Sequence, residues 1–344
     1  MSVKKISKAA LNDWVDALTG KHRVYGPMAK WKGTRFNFDL LGEAADLRLD
    51  YDVVLTPPKV FFQPTCEVLL TFDENGGYHS VEDDEPFVLF GVHPYDLAAI
   101  NQMDEVHRAD SPDRHYLARR ENATIVALDV QKPSENVFAA CMGTAVADEG
   151  FDILLTRVGD TYVVDVRTAK GEALAAEISG AKEADEITLA RREQVWEDAW
   201  RFLRKHELNC KHTDLPELLA ASYDHPVWEQ KADKCYSCGS CVLTCPTCYC
   251  FDVQDDVDWN LKSGQRVRKW DGCMLTNFAT VAGDHNFRKT RAERFRHRFY
   301  RKGKYLWDRF GQIACVGCGR CITACTTKIA NPVDIYNTLL EDQQ

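Results

Sequence analysis

The sequence predicts two domains: an α+β or α/β unit over residues 1–230, followed by a mainly helical, cysteine-rich unit over 231–344. Three observations carry that reading. The chain has 344 residues, more than one hydrophobic core usually serves. Short apolar runs alternate with helical periodicity through the first 230 residues. Of its 14 cysteines, three (Cys66, Cys141, Cys210) precede residue 231 and eleven follow it.

The elements of the first unit follow in order. Ser7 is a helix N-cap, and Leu11, Trp14, Val15 and Leu18 then recur at one helical face before Gly20. Tyr51–Leu55 and Lys59–Phe62 read as extended segments, separated by Pro57-Pro58 and closed by Pro64. Val68–Phe72 reads as another strand. The acidic loop Glu82–Glu85 precedes the buried-strand run Phe87–Gly91. His93-Pro94 opens a helix through Leu97 and Ile100, and Thr124–Asp129 is a second buried strand. Ile153–Val158 and Tyr162–Val166, joined at Gly159-Asp160, form a hairpin. Trp196, Ala199, Trp200 and Leu203 share one face of a helix over roughly Thr188–His206, and a further helix runs from Leu215 towards Trp228.

Composition shifts abruptly at Ala232–Lys234, which places the boundary there. No low-complexity linker separates the units, so they are expected to pack together. Net charge is −9, against a whole-chain nucleic-acid binder. No apolar run reaches the 18 or so residues a membrane span needs, and Ser7, Asn12, Asp13 and Asp16 interrupt any secretory signal. A cytoplasmic location is expected, where disulfides are rare and clustered thiols usually mean metal.

Cys235, Cys238, Cys241 and Cys245 form C-x2-C-x2-C-x3-C, followed by Pro246. Cys315, Cys318, Cys321 and Cys325 repeat that spacing. Three thiolates two residues apart let one tight loop wrap three corners of an iron–sulfur cube, while the fourth is carried past a turn towards the neighbouring cube. Gly239, Gly317 and Gly319 suit a backbone that curls closely around sulfide. Two [4Fe–4S] clusters with crossed ligation are therefore expected. One takes Cys235, Cys238, Cys241 and Cys325; the other takes Cys315, Cys318, Cys321 and Cys245. Zinc prefers separated C-x2-C pairs around one tetrahedral ion and has no use for a third knuckle cysteine and an outrigger. The second unit thus reads as a ferredoxin-like dicluster domain whose two motifs are separated by residues 246–314.

Cys248, Cys250 and Cys273 remain. They are ligands of another iron site, reactive thiols, or small buried residues around the clusters, and the last is favoured. Cys66, Cys141 and Cys210 stand alone and are read in the same way. From His285 to Arg309 there are ten lysines and arginines against two acids, with Phe287, Phe295, Phe299 and Tyr300 interleaved. An oxidised cube with four thiolates carries about −2, so two would take the chain from −9 to about −13. The basic run can raise a cluster's potential, dock an acidic partner, or form a solvated helix face. The insert is expected to be partner-facing. No G-x-G-x-x-G, P-loop, H-E-x-x-H or G-x-S-x-G is present, and two electron carriers without a substrate motif suggest a relay. A self-contained catalyst acting on a sulfur substrate through Cys248, Cys250 and Cys273 is the alternative.

The segments KCYSCGSCVLTCPTCYCFDV, CMLTNFATVAGDHNFRKTRAERFRHR and CVGCGRCITAC resemble one family, as do RVYGPMAKWKG, PPKVFFQPTCEVLLTF, FGVHPYDLAAINQMD and CMGTAVADEGFDILLT. It comprises the beta subunit of cytosolic sulfhydrogenase-type nickel–iron hydrogenases and the matching iron–sulfur subunit of anaerobic sulfite reductase. The resemblance implies a two-cluster electron-transfer subunit, with the eight cysteines as ligands. It implies a flavoprotein neighbour carrying FAD and using NAD(P), and a catalytic hydrogenase, sulfur or sulfite reductase subunit. No catalytic residue is expected in this chain itself. Tyr95 stands where relatives often carry cysteine, which argues against metal there. Thr326 follows Cys325 where a ferredoxin would usually have proline.

Overall fold

The computed structural model describes residues 3–342. Twelve strands build its two larger sheets: β1 Val3–Ser7, β2 Arg23–Lys30, β3 Arg35–Leu40, β4 Cys66–Phe72, β5 Tyr78–Ser80, β6 Phe87–Val92, β7 Ala123–Leu128, β8 Ile153–Val158, β9 Thr161–Val166, β10 Lys182–Glu183, β11 Phe251–Val257 and β12 Gly264–Trp270. The first sheet has eight strands in the order β10-β1-β9-β8-β7-β6-β2-β3. Its centre, β2-β6-β7-β8, is parallel and its flanks are antiparallel. Every residue of β6 is buried, as a central strand covered on both faces requires.

Helix α1 (Lys8–Thr19) is capped by the Ser7 hydroxyl, which accepts from the Ala10 N–H, and buries Leu11, Trp14, Val15 and Leu18 in the sheet's core. Helices α2 (Pro94–Arg108) and α3 (Arg114–Asn122) make the crossover from β6 to β7. Helix α4 (Ala169–Ala175) follows the predicted β8–β9 hairpin, and α5 (Glu186–Phe202) packs on β8 and β9. The remaining helices are α6 Leu215–Ala221, α7 Val227–Ala232, α8 Ser240–Leu243, α9 Arg291–Tyr300, α10 Leu306–Phe310, α11 Arg320–Ala324 and α12 Pro332–Glu341. Between α9 and α10 the helix widens into a π turn over Arg301–Tyr305. A second hydrophobic core gathers these helices with Phe138 and Met142. Among the described residues, no helix is long and apolar enough to cross a membrane.

The second sheet, β11-β12-β4-β5, takes two strands from before residue 230 and two from the segment between the cysteine motifs. A buried charge network locks it: Glu67 on β4 accepts from Arg268 on β12 at 2.7 Å and from Arg119 on α3 at 2.6 Å, and Arg268 also pairs with Asp113. The two halves do pack together, and their division at 230/231 is crossed by this sheet and falls inside α7.

Several local expectations are corrected. Tyr51–Leu55 forms no strand beyond a single bridge from Val54 to Phe36: Tyr51 and Val54 are buried, the Tyr51 ring stacked 3.9 Å from His93, while Leu55 is exposed. Lys59–Phe62 lies largely in a 3-10 turn over Pro58–Phe61 that begins with a proline. The predicted Leu215–Trp228 helix breaks into α6 and α7 before Pro226, whose fixed φ and missing N–H favour a helix start over an interior. The face of α5 that carries Trp196, Ala199, Trp200 and Leu203 is only partly covered: Trp200 is 41% exposed, while Ala199 and Leu203 are buried and Trp196 donates to Asp129. The β2–β3 hairpin is hidden in the sequence because Gly26-Pro27, a pair that reads as a turn, sits inside β2.

Candidate functional site: two cysteine cavities

The two C-x2-C-x2-C-x3-C blocks fold as backbone copies. Ser237 and Gly317, two residues past the first cysteine of each block, both have positive φ (54° and 65°), and Gly239 and Gly319 follow at 74° and 76°. Gly239 and Gly319 each cap a one-turn helix, α8 or α11, which carries the third cysteine. The glycines of the second block are also sterically required. A Cβ on Gly317 would lie 2.6 Å from the Phe138 carbonyl oxygen, and one on Gly319 would lie 2.2 Å from that of Asn136. The Phe138 N–H donates to the Gly317 carbonyl at 2.8 Å, so this loop is built onto the N-terminal half. Arg320 fastens it further, giving two bonds of 2.6 and 2.7 Å to Asp96 on α2 and one of 2.9 Å to the Val54 carbonyl.

Helices α8 and α11 pack together, and two cavities lie beside them. The first is lined by Cys235, Cys238, Cys241 and Cys325, with Met274, Phe295 and Ile329. The second is lined by Cys315, Cys318, Cys321 and Cys245, with Phe138, Pro246, Arg298 and Lys302. Each cavity thus receives three cysteines of one block and the last cysteine of the other. The first reaches the surface, where Cys238 is exposed and Tyr236 is 73% exposed. Among the described residues, no three His, Cys, Asp or Glu side chains are placed to hold a single metal ion. Four thiols around a cavity of this kind fit an extended cluster.

Ligation needs thiolates. Burial pushes the Cys241 and Cys318 thiols up to about 12 and raises Cys315 and Cys321 as well. The two outriggers go the other way. Cys245 is held well below the usual thiol range by its hydrogen bond with Cys248, by Lys302 and by the Thr247 hydroxyl. Cys325 is lowered despite burial, by the Thr327 hydroxyl and the N–H groups of Ile329 and Ala330. These two threonines, each two residues after an outrigger and 3.4 and 3.6 Å from its Sγ, join the site beyond the predicted residues; their signal in the sequence is the shared x-T after both motifs.

The surplus cysteines divide. Cys273 is buried in the second core with its thiol pushed up to about 11 by burial, and Cys248 packs against that core, its thiol hydrogen-bonded to Cys245. Cys250 is half-buried nearby. Cys141 and Cys210 are half-buried against the same core, but Cys66 is exposed on β4 and is not the buried small residue expected. Tyr95 is fully buried, its hydroxyl 2.7 Å from His93 Nδ1 and 3.1 Å from the Asp52 carbonyl. The basic run is only in part an outward face. Lys289, Arg291 and Arg309 are exposed, but Arg294, Arg298 and Lys302 are buried, and Arg294 reaches back to the Ser237 hydroxyl and the carbonyls of Arg288 and Lys289. The α9 periodicity, with charged and aromatic residues sharing one face, masks that burial.

Residues 234–329 match the family model described as a 4Fe-4S dicluster domain. The chain is also 33% identical over 330 residues to the sulfhydrogenase 2 subunit beta of Pyrococcus furiosus, with 96% of each chain covered. Identity of that extent spans both halves, well beyond the cysteine motifs. The chain belongs to the sulfhydrogenase beta-subunit family, iron–sulfur electron-transfer proteins with a 4Fe-4S dicluster domain.

Proposed function

We propose that this protein is an electron relay between a flavoprotein subunit, which carries FAD and uses NAD(P), and a catalytic hydrogenase, sulfur reductase or sulfite reductase subunit. The observation that carries the reading is the sorting of eight cysteines into two cavities, each three from one block and one from the other. On this reading Cys235, Cys238, Cys241 and Cys325 hold one [4Fe–4S] cluster, and Cys315, Cys318, Cys321 and Cys245 hold the second. The two blocks form a ferredoxin-like core, into which residues 246–314 are inserted. When bound, the clusters supply one-electron exchange. The chain's own residues hold the thiolates, exclude water from the second cavity and leave the first open at Cys238 and Tyr236. No acid–base group is needed.

The catalyst reading through Cys248, Cys250 and Cys273 gains no support, because burial keeps Cys273 a thiol well above neutrality and removes it from substrate. Purification tests the relay. The reduced protein alone should pass electrons to a one-electron dye but show no hydrogen or sulfur turnover. Turnover by the isolated chain would overturn the proposal.

A further inference from the structure

Two buried cations of the basic segment have no carboxylate partner among the described residues. Arg298 on α9 is 1% exposed and Lys302, one turn later on the π turn, is 5% exposed. Arg298 spans the two cysteine sets: its Nη2 lies 3.5 Å from the Cys241 carbonyl, while Nε and Nη1 are buried with no hydrogen-bond partner among the described residues. Lys302 donates to the Thr247 hydroxyl at 2.7 Å. Both side chains line the second cavity, and both charges act on Cys321 and Cys245, while the Arg298 charge acts also on Cys241 of the first cavity. The described residues lining the first cavity include no lysine, arginine or histidine.

Burying a cation without an anion is costly, and unsatisfied guanidinium N–H groups are costly again. The arrangement makes sense when the second cavity holds a group of net negative charge with sulfur acceptors, which four thiolates around an iron–sulfur cube provide. Reduction adds one more negative charge there. Burial alone would oppose that charge, since a low-dielectric site disfavours it. The same low dielectric strengthens the attraction of two cations at contact distance, and attraction to both outweighs the loss of solvation.

We propose that Arg298 and Lys302 make the two clusters unequal, raising the potential of the one held by Cys315, Cys318, Cys321 and Cys245 above that of the other, so that a single electron rests on the buried cluster. This rests on the ligation proposed above, and the test separates the two. Full-length protein is prepared without oxygen, assayed for iron and sulfide, and then titrated electrochemically with electron paramagnetic resonance as the readout. Wild type should show two resolved one-electron steps. Cys241→Ser, which removes the first cluster, should retain the higher step and so assign it. Lys302→Met and Arg298→Met should each shift that step down by at least a tenfold change in electron partition, about 59 mV for a one-electron couple. The lower step should stay in place in Lys302→Met, and Lys302→Arg should keep the wild-type value. Iron well below about eight per wild-type chain overturns the ligation itself. Full iron with coincident steps, with the lower step surviving in Cys241→Ser, or with unmoved Met variants overturns this inference alone. Should the Met variants lose iron, the Cys241→Ser assignment still decides it.

Discussion

Replacing Asp96 by alanine tests how the second cysteine loop is held. Asp96 and Arg320 are both buried, joined by two bonds of 2.6 and 2.7 Å, and Arg320 directly precedes Cys321. Asp96→Ala leaves a guanidinium in the interior with the Val54 carbonyl as its remaining hydrogen-bond acceptor among the described residues. Removing one partner of a buried pair costs about 3–5 kcal/mol, mostly through the charge left behind. A chain of 344 residues unfolds with an entropy of about 0.7 kcal/mol/K, so the melting midpoint should fall by roughly 4–7 °C. The assay is anaerobic calorimetry of wild type, Asp96→Ala and the double variant Asp96→Leu/Arg320→Met. The double variant should recover most of the loss, because a buried pair replaced by apolar groups of similar size is often close to neutral. A shift under about 1 °C for Asp96→Ala, or a double variant no better than the single, refutes the reasoning.

Three further outcomes follow from the same geometry. Cys241→Ser should lower iron from about eight to about four per chain, with one reduced-state signal preserved; an unchanged spectrum would contradict crossed ligation. Gly319→Ala should cost at least about 3 kcal/mol, from positive φ and the 2.2 Å approach to Asn136, whereas Gly311→Ala, also at positive φ but with open space around it, should cost about 1 kcal/mol; equal melting shifts would show the contact is immaterial. Asp129 is pushed up to about 6 by burial, opposed by bonds from Thr156 and Trp196. Between its unfolded value of 3.8 and about 6 the folded state binds the extra proton, so stability falls as pH rises through that window and is level above it. From pH 5 to 7 the group removes about 1 kcal/mol, and Asp129→Asn should lack that loss; parallel pH profiles for the two proteins would rule it out.

The site was more legible in the sequence than the fold around it. Eight cysteines at one repeated spacing determine their own loop geometry, because three knuckles and an outrigger fit few arrangements. The hairpin at Gly159-Asp160 and the Ser7-capped helix were equally plain, since turn chemistry and capping act locally. The pairing of β12 with β4 was invisible, because it joins residues about 200 apart through Glu67 and Arg268, each ordinary in its own segment. The basic run misled for a related reason. A charge run usually marks a solvated face, and burial of Arg298 and Lys302 is sensible only beside the cysteine cavities.

Iron and acid-labile sulfide in anaerobically purified full-length protein test the central claim most directly. About eight of each per chain, with signals from two interacting reduced clusters, is the predicted result. One zinc per cysteine block, or iron sufficient for a single cube, would contradict it.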